Sequence, residues 1–255
     1  MSRSKKLRQD SKQDLKQDDY LNWQTNDRGN PIERIKIDIK CKNDRQKTLL
    51  DSLKDNTVTF CEGSAGTGKT YVTLSQALKE LKAGNFKKIV LAKSVTTLNE
   101  ESVGFLKGDL KTKLEPIMYS YTGNIEKIIG KKLSEELLEM GKIEWMPIAY
   151  LRGVSIDDAF IIIDETQNIS IDNIRTILSR IGEGSKMVLL GDVKQKDIKN
   201  KKNSALEFIM EYFSHIKGIG TVRFEKEHII RHPIIQEFEN RFDELEKDGV
   251  LKKLI

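Results

Sequence analysis

The sequence predicts an α/β protein, with one domain built on a mostly parallel, helix-flanked sheet behind a flexible polar N-terminal arm. Three observations predict it. Helical and strand patterns alternate from about Asn43 onward. Apolar runs such as FIIID (160–164) are uninterrupted, as in strands covered on both faces. A glycine-rich loop joins one strand to the helix that follows it.

Residues 1–19 are nearly all Ser, Lys, Arg, Gln and Asp, with Leu7 and Leu15 as their sizeable apolar side chains. Such a stretch buries too little surface to offset the entropy of ordering, so an arm is expected. Tyr20, Leu21 and Trp23, the turn-like NDRGNP and the alternating Ile32, Ile35, Ile37 and Ile39 predict a short strand or strap on the domain. This divides the chain into an extension, 1–42, and a folded domain, 43–255.

Within the domain, Leu49, Leu50 and Leu53 predict a short helix and TVTFC a buried strand. Leu74, Ala77, Leu78 and Leu81 recur at helical spacing, and Gly84 can close that helix. KKIVLAK reads as a strand. Ile125, Ile128, Ile129, Leu133 and Leu137 form one helical stripe over 124–140, and IEWMPIAYL reads as extended. After FIIID come a helix marked by Ile174, Ile177, Leu178 and Ile181, the strand KMVLLGD, a helix marked by Leu206, Ile209 and Phe213, and the strand TVRF. Ile235, Phe238, Phe242 and Leu245 mark a last amphipathic helix.

The glycine loop, GSAGTGKT, comprises Gly63, Ser64, Ala65, Gly66, Thr67, Gly68, Lys69 and Thr70, and matches the phosphate-loop template at every fixed position. Its glycines let backbone N–H groups turn inward around an anion, and the next helix adds the partial positive charge of its N-terminus. Lys69 can reach the β and γ phosphates of a nucleotide, and Thr70 offers a hydroxyl to Mg²⁺. Tyr71, next in the chain, joins the candidate nucleotide contacts. A phosphate loop by itself fits kinases, GTPases and motors alike.

Two further strand ends narrow the choice. FIIIDETQN places Asp164 and Glu165 at the carboxyl end of a buried strand, where ligands of open α/β sheets bind. Asp164 is suited to hold Mg²⁺, partly through water, and Glu165 to polarise an attacking water. LLGDVKQ ends another strand with Gly191, Asp192 and Gln195, whose amide can meet a γ-phosphate or orient water. Asp157 and Asp158 read as turn residues.

Composition excludes several classes. The longest apolar runs fall far short of the roughly 18 residues of a membrane span, and the polar N-terminus does not read as a signal peptide. Cys41 and Cys61 lack metal-ligand spacing, and His215, His228 and His232 form no Cys/His cluster, so reduced thiols in a cytoplasmic protein are expected. The net charge of +5 tolerates a polyanionic partner, and equally fits an ordinary solvated surface.

The run KIEWMPIAYLRGVSIDDAFIIIDETQN, then RIGEGSKMVLLGDVKQKDI and VRFEKEHIIRHPII, resembles the PhoH-like ATPases of the helicase-like superfamily one P-loop proteins. GFLKGDL, 104–110, is similar to another block of that family, and the likeness extends over about 43–242. It implies a single RecA-like P-loop NTPase domain that uses ATP and Mg²⁺. It also implies a ring-like homo-oligomer, a hexamer, with ATP at the subunit interfaces. Gln46 then matches an adenine-contacting glutamine, Asp164 and Glu165 the magnesium and water-activating pair, Asp192 and Gln195 a sensing motif, and Arg231 an arginine acting on the γ-phosphate in the same or a neighbouring subunit. Read from the residues alone, Gln46 is equally a helix-surface residue, and Arg231 a partner of Glu225 or Glu227. Arg152 and Arg180 also fit family positions, or structural ion pairs.

One departure concerns Lys93-Ser94-Val95, where the family block reads Arg-Pro. Lys93 keeps a charge for a nucleic-acid backbone but loses the bidentate fork of arginine. The lysine-rich 194–203 is a second candidate for such contacts. With one phosphate loop and no second motor lobe expected, strand separation within one chain is not. The leading expectation is an Mg²⁺-dependent ATPase acting on RNA or single-stranded DNA, without a membrane partner. A P-loop kinase and a nucleotide-gated binding module with little turnover are the alternatives from other classes.

Overall fold

The computed structural model describes residues 29–94, 110–151, 153–195, 204–230 and 233–249. The polar arm and the Tyr20–Trp23 segment, GFLKGDL apart from Leu110, Arg152, residues 196–203, Arg231 and His232 lie outside the described residues.

Helix α1 (Asp44–Asp55) starts at Asn43, whose side chain accepts the Gln46 N–H, an N-cap that satisfies one of the first-turn donors. Strand β1 (Val58–Glu62) leads through the glycine loop into α2 (Lys69–Lys82), which Gly84 closes at φ 78°. Then follow β2 (Lys88–Lys93), α3 (Leu110–Ile129), α4 (Lys131–Glu139), β3 (Ile143–Trp145) and a single helical turn, α5 (Ile148–Leu151). The second half carries β4 (Ala159–Asp164), α6 (Ile171–Leu178), β5 (Lys186–Gly191), α7 (Ala205–Tyr212), β6 (Ile219–Arg223) and α8 (Pro233–Lys247).

The six strands form one sheet in the order β3-β2-β4-β5-β1-β6, and every pair is parallel. The predicted α/β class is therefore observed. Alternate residues of the central strands feed two cores. Cys61, Leu91 and Ile162 join the helices α1 to α4 on one face, and Phe60, Val90 and Ile161 join α6 and α7 on the other. Cover on both faces explains why these strands read as continuous apolar runs. Both cysteines are free, and burial pushes the Cys61 thiol up to about 12.

Three sequence expectations change in detail. The stripe over 124–140 is split into α3 and α4 by Gly130 at φ 83°, a left-handed conformation that glycine adopts without steric cost. IEWMPIAYL is extended only through Trp145, and Ile148 to Leu151 coil into α5; an apolar run this short fits either period. Residues 31–34 form a turn and 35–41 have no regular secondary structure and pair with no strand of the sheet, so this segment is a strap rather than a strand. Its Ile35 is wholly buried, and Arg34 forms an ion pair with Glu136 of α4. Asp157 and Asp158 lie in the connection into β4, Asp158 at a bend with φ 51°; Asp157 accepts the Glu183 N–H and Asp158 pairs with Lys87.

The strand order matters for chemistry because β5 lies between β4 and β1. It brings the carboxyl end LLGD between the glycine loop after β1 and the acidic pair at the end of β4. The register makes this concrete: Glu62 is level with Gly191, Ile163 with Leu189, and Lys93 with Asp164.

Candidate phosphate-binding and catalytic site

The loop after β1 owes its shape to close approach. A Cβ on Gly63 would lie 2.5 Å from the Phe224 side chain, and one on Gly68 would lie 2.5 Å from Gln46 Nε2. Gly68 also sits at φ 87° and opens α2, so glycine is required there on two counts. The loop is braced from behind: Gln46 Nε2 donates to Thr67 O at 2.8 Å, Gln46 Oε1 accepts the Lys42 N–H at 2.8 Å, and the Ile230 N–H donates to Gly66 O at 3.0 Å. Gln46 is thus 2% exposed beneath the loop, which removes the helix-surface reading.

Lys69 is buried and folds back over the loop, donating to Gly63 O and to Ser64 O at 3.0 Å, while Thr67 Oγ1 also donates to Ser64 O. Its ammonium is therefore held by neutral carbonyls, partners that a phosphate oxyanion outcompetes. Across the cleft, Thr70 Oγ1 donates to Asp164 Oδ2 at 3.3 Å, and the Glu165 N–H donates to Asp164 Oδ1 at 2.9 Å. This convergent hydroxyl and carboxylate are hard oxygen donors of the kind Mg²⁺ takes alongside phosphate and water.

Burial pushes the Asp164 carboxyl above its ordinary value of 3.8 and the Glu165 charge adds to that; the Glu165 N–H, Lys69 and Lys93 oppose it. A carboxyl raised on folding stabilises the fold only while protonated. That contribution is lost as pH rises from 3.8 through the raised value, and at neutral pH the charge costs stability. Asp164→Asn keeps groups able to bond Thr70 and the Glu165 N–H. Without nucleotide or divalent cation at pH 7 it is expected to melt higher than the parent. The gain should vanish as pH falls below the raised value, and thermal melts across pH check it.

Glu165 adopts φ 57°, a left-handed conformation that is rare outside glycine and marks a constrained site. The short 3₁₀ turn Thr166–Asn168 that follows folds Gln167 back beneath the cleft, wholly buried. Gln167 Nε2 donates to Glu165 Oε2 at 2.7 Å and to Gln195 O at 3.2 Å, and its Oε1 accepts the Asp192 N–H at 3.0 Å. Gln195 Nε2 in turn donates to Asp192 Oδ2 at 3.0 Å. One amide thus ties the glutamate after β4 to the loop after β5.

The cleft has a volume of about 370 Å³. The glycine loop and Tyr71, 42% exposed, form one wall. Asp164, Glu165, Asp192 and Gln195 line its floor, and Lys93 with Ser120 and Asn124 of α3 closes the far side. The sequence-predicted loop, acidic pair and sensing residues therefore meet at one cleft. Arg231 falls outside the described residues, and the Arg180 guanidinium donates to Thr176 O and Ser179 Oγ, away from the cleft lining.

The sequence reading of this site did not include Gln167, Ser120 or Asn124, and it gave Lys93 another role. Gln167 signalled itself only by its place two residues after Glu165 in DETQN. Lys93, read from the sequence as a charge for a nucleic-acid backbone, points its ammonium at Glu165 Oε1, 3.5 Å away, with its side chain 20% exposed.

Known proteins align with this picture. A profile described as PhoH-like protein matches residues 38–243. A PhoH-like protein of Bacillus subtilis is 37% identical over 205 residues, covering 80% of this chain and 64% of that one. A PhoH-like protein of Synechocystis is 31% identical over 208 residues, covering 82% and 63%, and Protein PhoH of Escherichia coli K12 is 30% identical over 200 residues, covering 78% and 56%. The chain thus spans under two thirds of the length of these relatives.

Among solved structures, the large terminase of a thermophilic bacteriophage matches with TM-score 0.42 and 13% identity, covering 74% of this chain and 46% of its own. The SWI2/SNF2 ATPase core of Sulfolobus solfataricus, solved in complex with dsDNA, matches with TM-score 0.44 and 14% identity, covering 75% and 46%. With the profile matching 38–243 and the Bacillus subtilis relative 37% identical across four fifths of the chain, the protein belongs to the PhoH-like protein family.

Proposed function

We propose that this chain is a cytoplasmic, Mg²⁺-dependent ATPase that transfers the γ-phosphoryl group to water and couples this to work on RNA or single-stranded DNA. The observation that carries the reading is the Thr70–Asp164 hydrogen bond, 3.3 Å, beside the carboxylate of Glu165. It brings a metal-binding pair and a candidate base to one cleft bounded by a phosphate loop.

In this reading the loop N–H groups of 63–70 and the N-terminus of α2 hold the β and γ phosphates, and Lys69 leaves its loop carbonyls to join them. Gln46 fixes the loop from below and Tyr71 flanks the nucleotide. Thr70 and Asp164 would hold Mg²⁺, which would supply neutralisation of the phosphate charge. Glu165 accepts a proton from the attacking water, Gln195 senses the γ-phosphate, and Arg231 adds positive charge in the transition state, from the same or a neighbouring subunit.

The catalytic unit spans 43–255, with 1–42 as an extension. The chain assembles as a homo-oligomeric ring, a hexamer; self-association, though not its number, is supported by α8, which exposes Ile234, Phe238 and Phe242 at four-residue spacing along one face. Among the described residues no helix is long and apolar enough to cross a membrane.

A phosphate-release assay with Mg²⁺·ATP tests the reading, run alone and with RNA, single-stranded DNA or duplex DNA. The expected result is phosphate released to water and a several-fold stimulation by single strands. Labelled γ-phosphate recovered on an acceptor, or no turnover under any of these conditions, overturns it.

A further inference from the structure

The carboxylate of Glu165 is occupied on both oxygens. Gln167 holds Oε2 at 2.7 Å and Lys93 holds Oε1 at 3.5 Å. The two partners differ in how firmly they are placed. Gln167 is wholly buried and tied at the same time to the Asp192 N–H and Gln195 O, so it cannot leave without orphaning both. Lys93 is held loosely, with Ser120 Oγ, also at 3.5 Å, as its other acceptor. A lysine ammonium on a flexible four-carbon stem changes partners at little steric cost.

Its position limits what that new partner is. Lys93 ends β2 in register with Asp164, and its side chain lines the same cleft as Lys69 and Thr70. Lys69 and Lys93 both line the cleft together with Thr70 and Asp164, so both cations face the space that a terminal phosphate takes. A terminal phosphate offers several charged oxygens, against the single shared carboxylate oxygen that Lys93 has here, and draws the ammonium more strongly.

We propose that Lys93 is a sensor of the terminal phosphate. Its ammonium rests on Glu165 Oε1 in the nucleotide-free protein and moves to the γ-phosphate oxygens of a bound nucleoside triphosphate. Arrival of the triphosphate then frees one oxygen of Glu165 for water, whereas a diphosphate, lacking the γ group, leaves the carboxylate held on both sides. This deepens the ATPase reading above and rests on it.

Equilibrium binding of ATP and ADP, with Mg²⁺, to the full chain carrying Glu165→Gln tests the sensor, since that substitution keeps ATP intact during the measurement. Adding Lys93→Met is expected to weaken ATP by roughly ten- to hundredfold, the effect of losing a hydrogen bond to a charged group, and to leave ADP within about twofold. Lys93→Arg in the same background, which keeps the charge, should restore the preference for ATP. An unchanged ATP-to-ADP ratio in the Met variant, or equal weakening of both, overturns the sensor while leaving the ATPase reading intact. No nucleotide binding by any of the forms overturns both. ADP binding at the parental level by Lys93→Met shows that the site has folded.

Discussion

Glu165→Gln is expected to lower steady-state ATP turnover by a factor of about 10²–10⁴, the usual contribution of a general base, while ATP binding is retained. The substitution is nearly isosteric, and its carbonyl oxygen can still accept from Gln167 Nε2, so the turn at φ 57° and the floor of the cleft are preserved. What is lost is the ability to take a proton from water. Removing a negative charge beside the phosphates also lowers repulsion, so ATP is expected to bind as tightly as in the parent or more so. Single-turnover phosphate release, with ATP binding measured on the same preparation, checks both halves. Turnover within threefold of the parent would exclude Glu165 as the base and with it the water-directed mechanism.

How much of this was legible in the sequence follows from how local each signal is. The glycine loop is a contiguous pattern whose geometry is set by its own backbone, so Gly63 to Thr70 could be read directly. FIIID and VLLGD read correctly as strands because burial on both faces leaves an unbroken apolar run. The order of the strands is a different matter. Nothing local says that β5 lies between β1 and β4, and it is this insertion that brings Asp192 and Gln195 to Glu165. The Lys93–Glu165 pair is illegible for the same reason, because it crosses from β2 to β4 between residues 72 positions apart. Gly130 is a local signal that the helical stripe on either side of it conceals.

Gln167→Leu has the other large expected effect, on stability and turnover together. Leucine fills nearly the same volume but bonds none of Glu165 Oε2, Gln195 O and the Asp192 N–H. Gln167 is wholly buried, so the Asp192 N–H orphaned beneath it costs about 1–3 kcal/mol, whereas the carbonyl of the exposed Gln195 turns to water. At about 2–4 °C per kcal/mol for a domain of this size, the melting temperature should fall by roughly 2–12 °C. Turnover measured well below that temperature should fall by at least about tenfold, because Glu165 loses its fixed partner and the loop after β5 loses its tie to the base. ATP affinity, which depends on the glycine loop and Lys69, should change much less, so the loss appears in kcat rather than KM. A turnover loss of at least about tenfold in the Leu variant well below its melting temperature, with ATP affinity kept, would assign Gln167 to positioning the base. Parental turnover in the Leu variant, despite a lower melting temperature, would confine it to holding the fold.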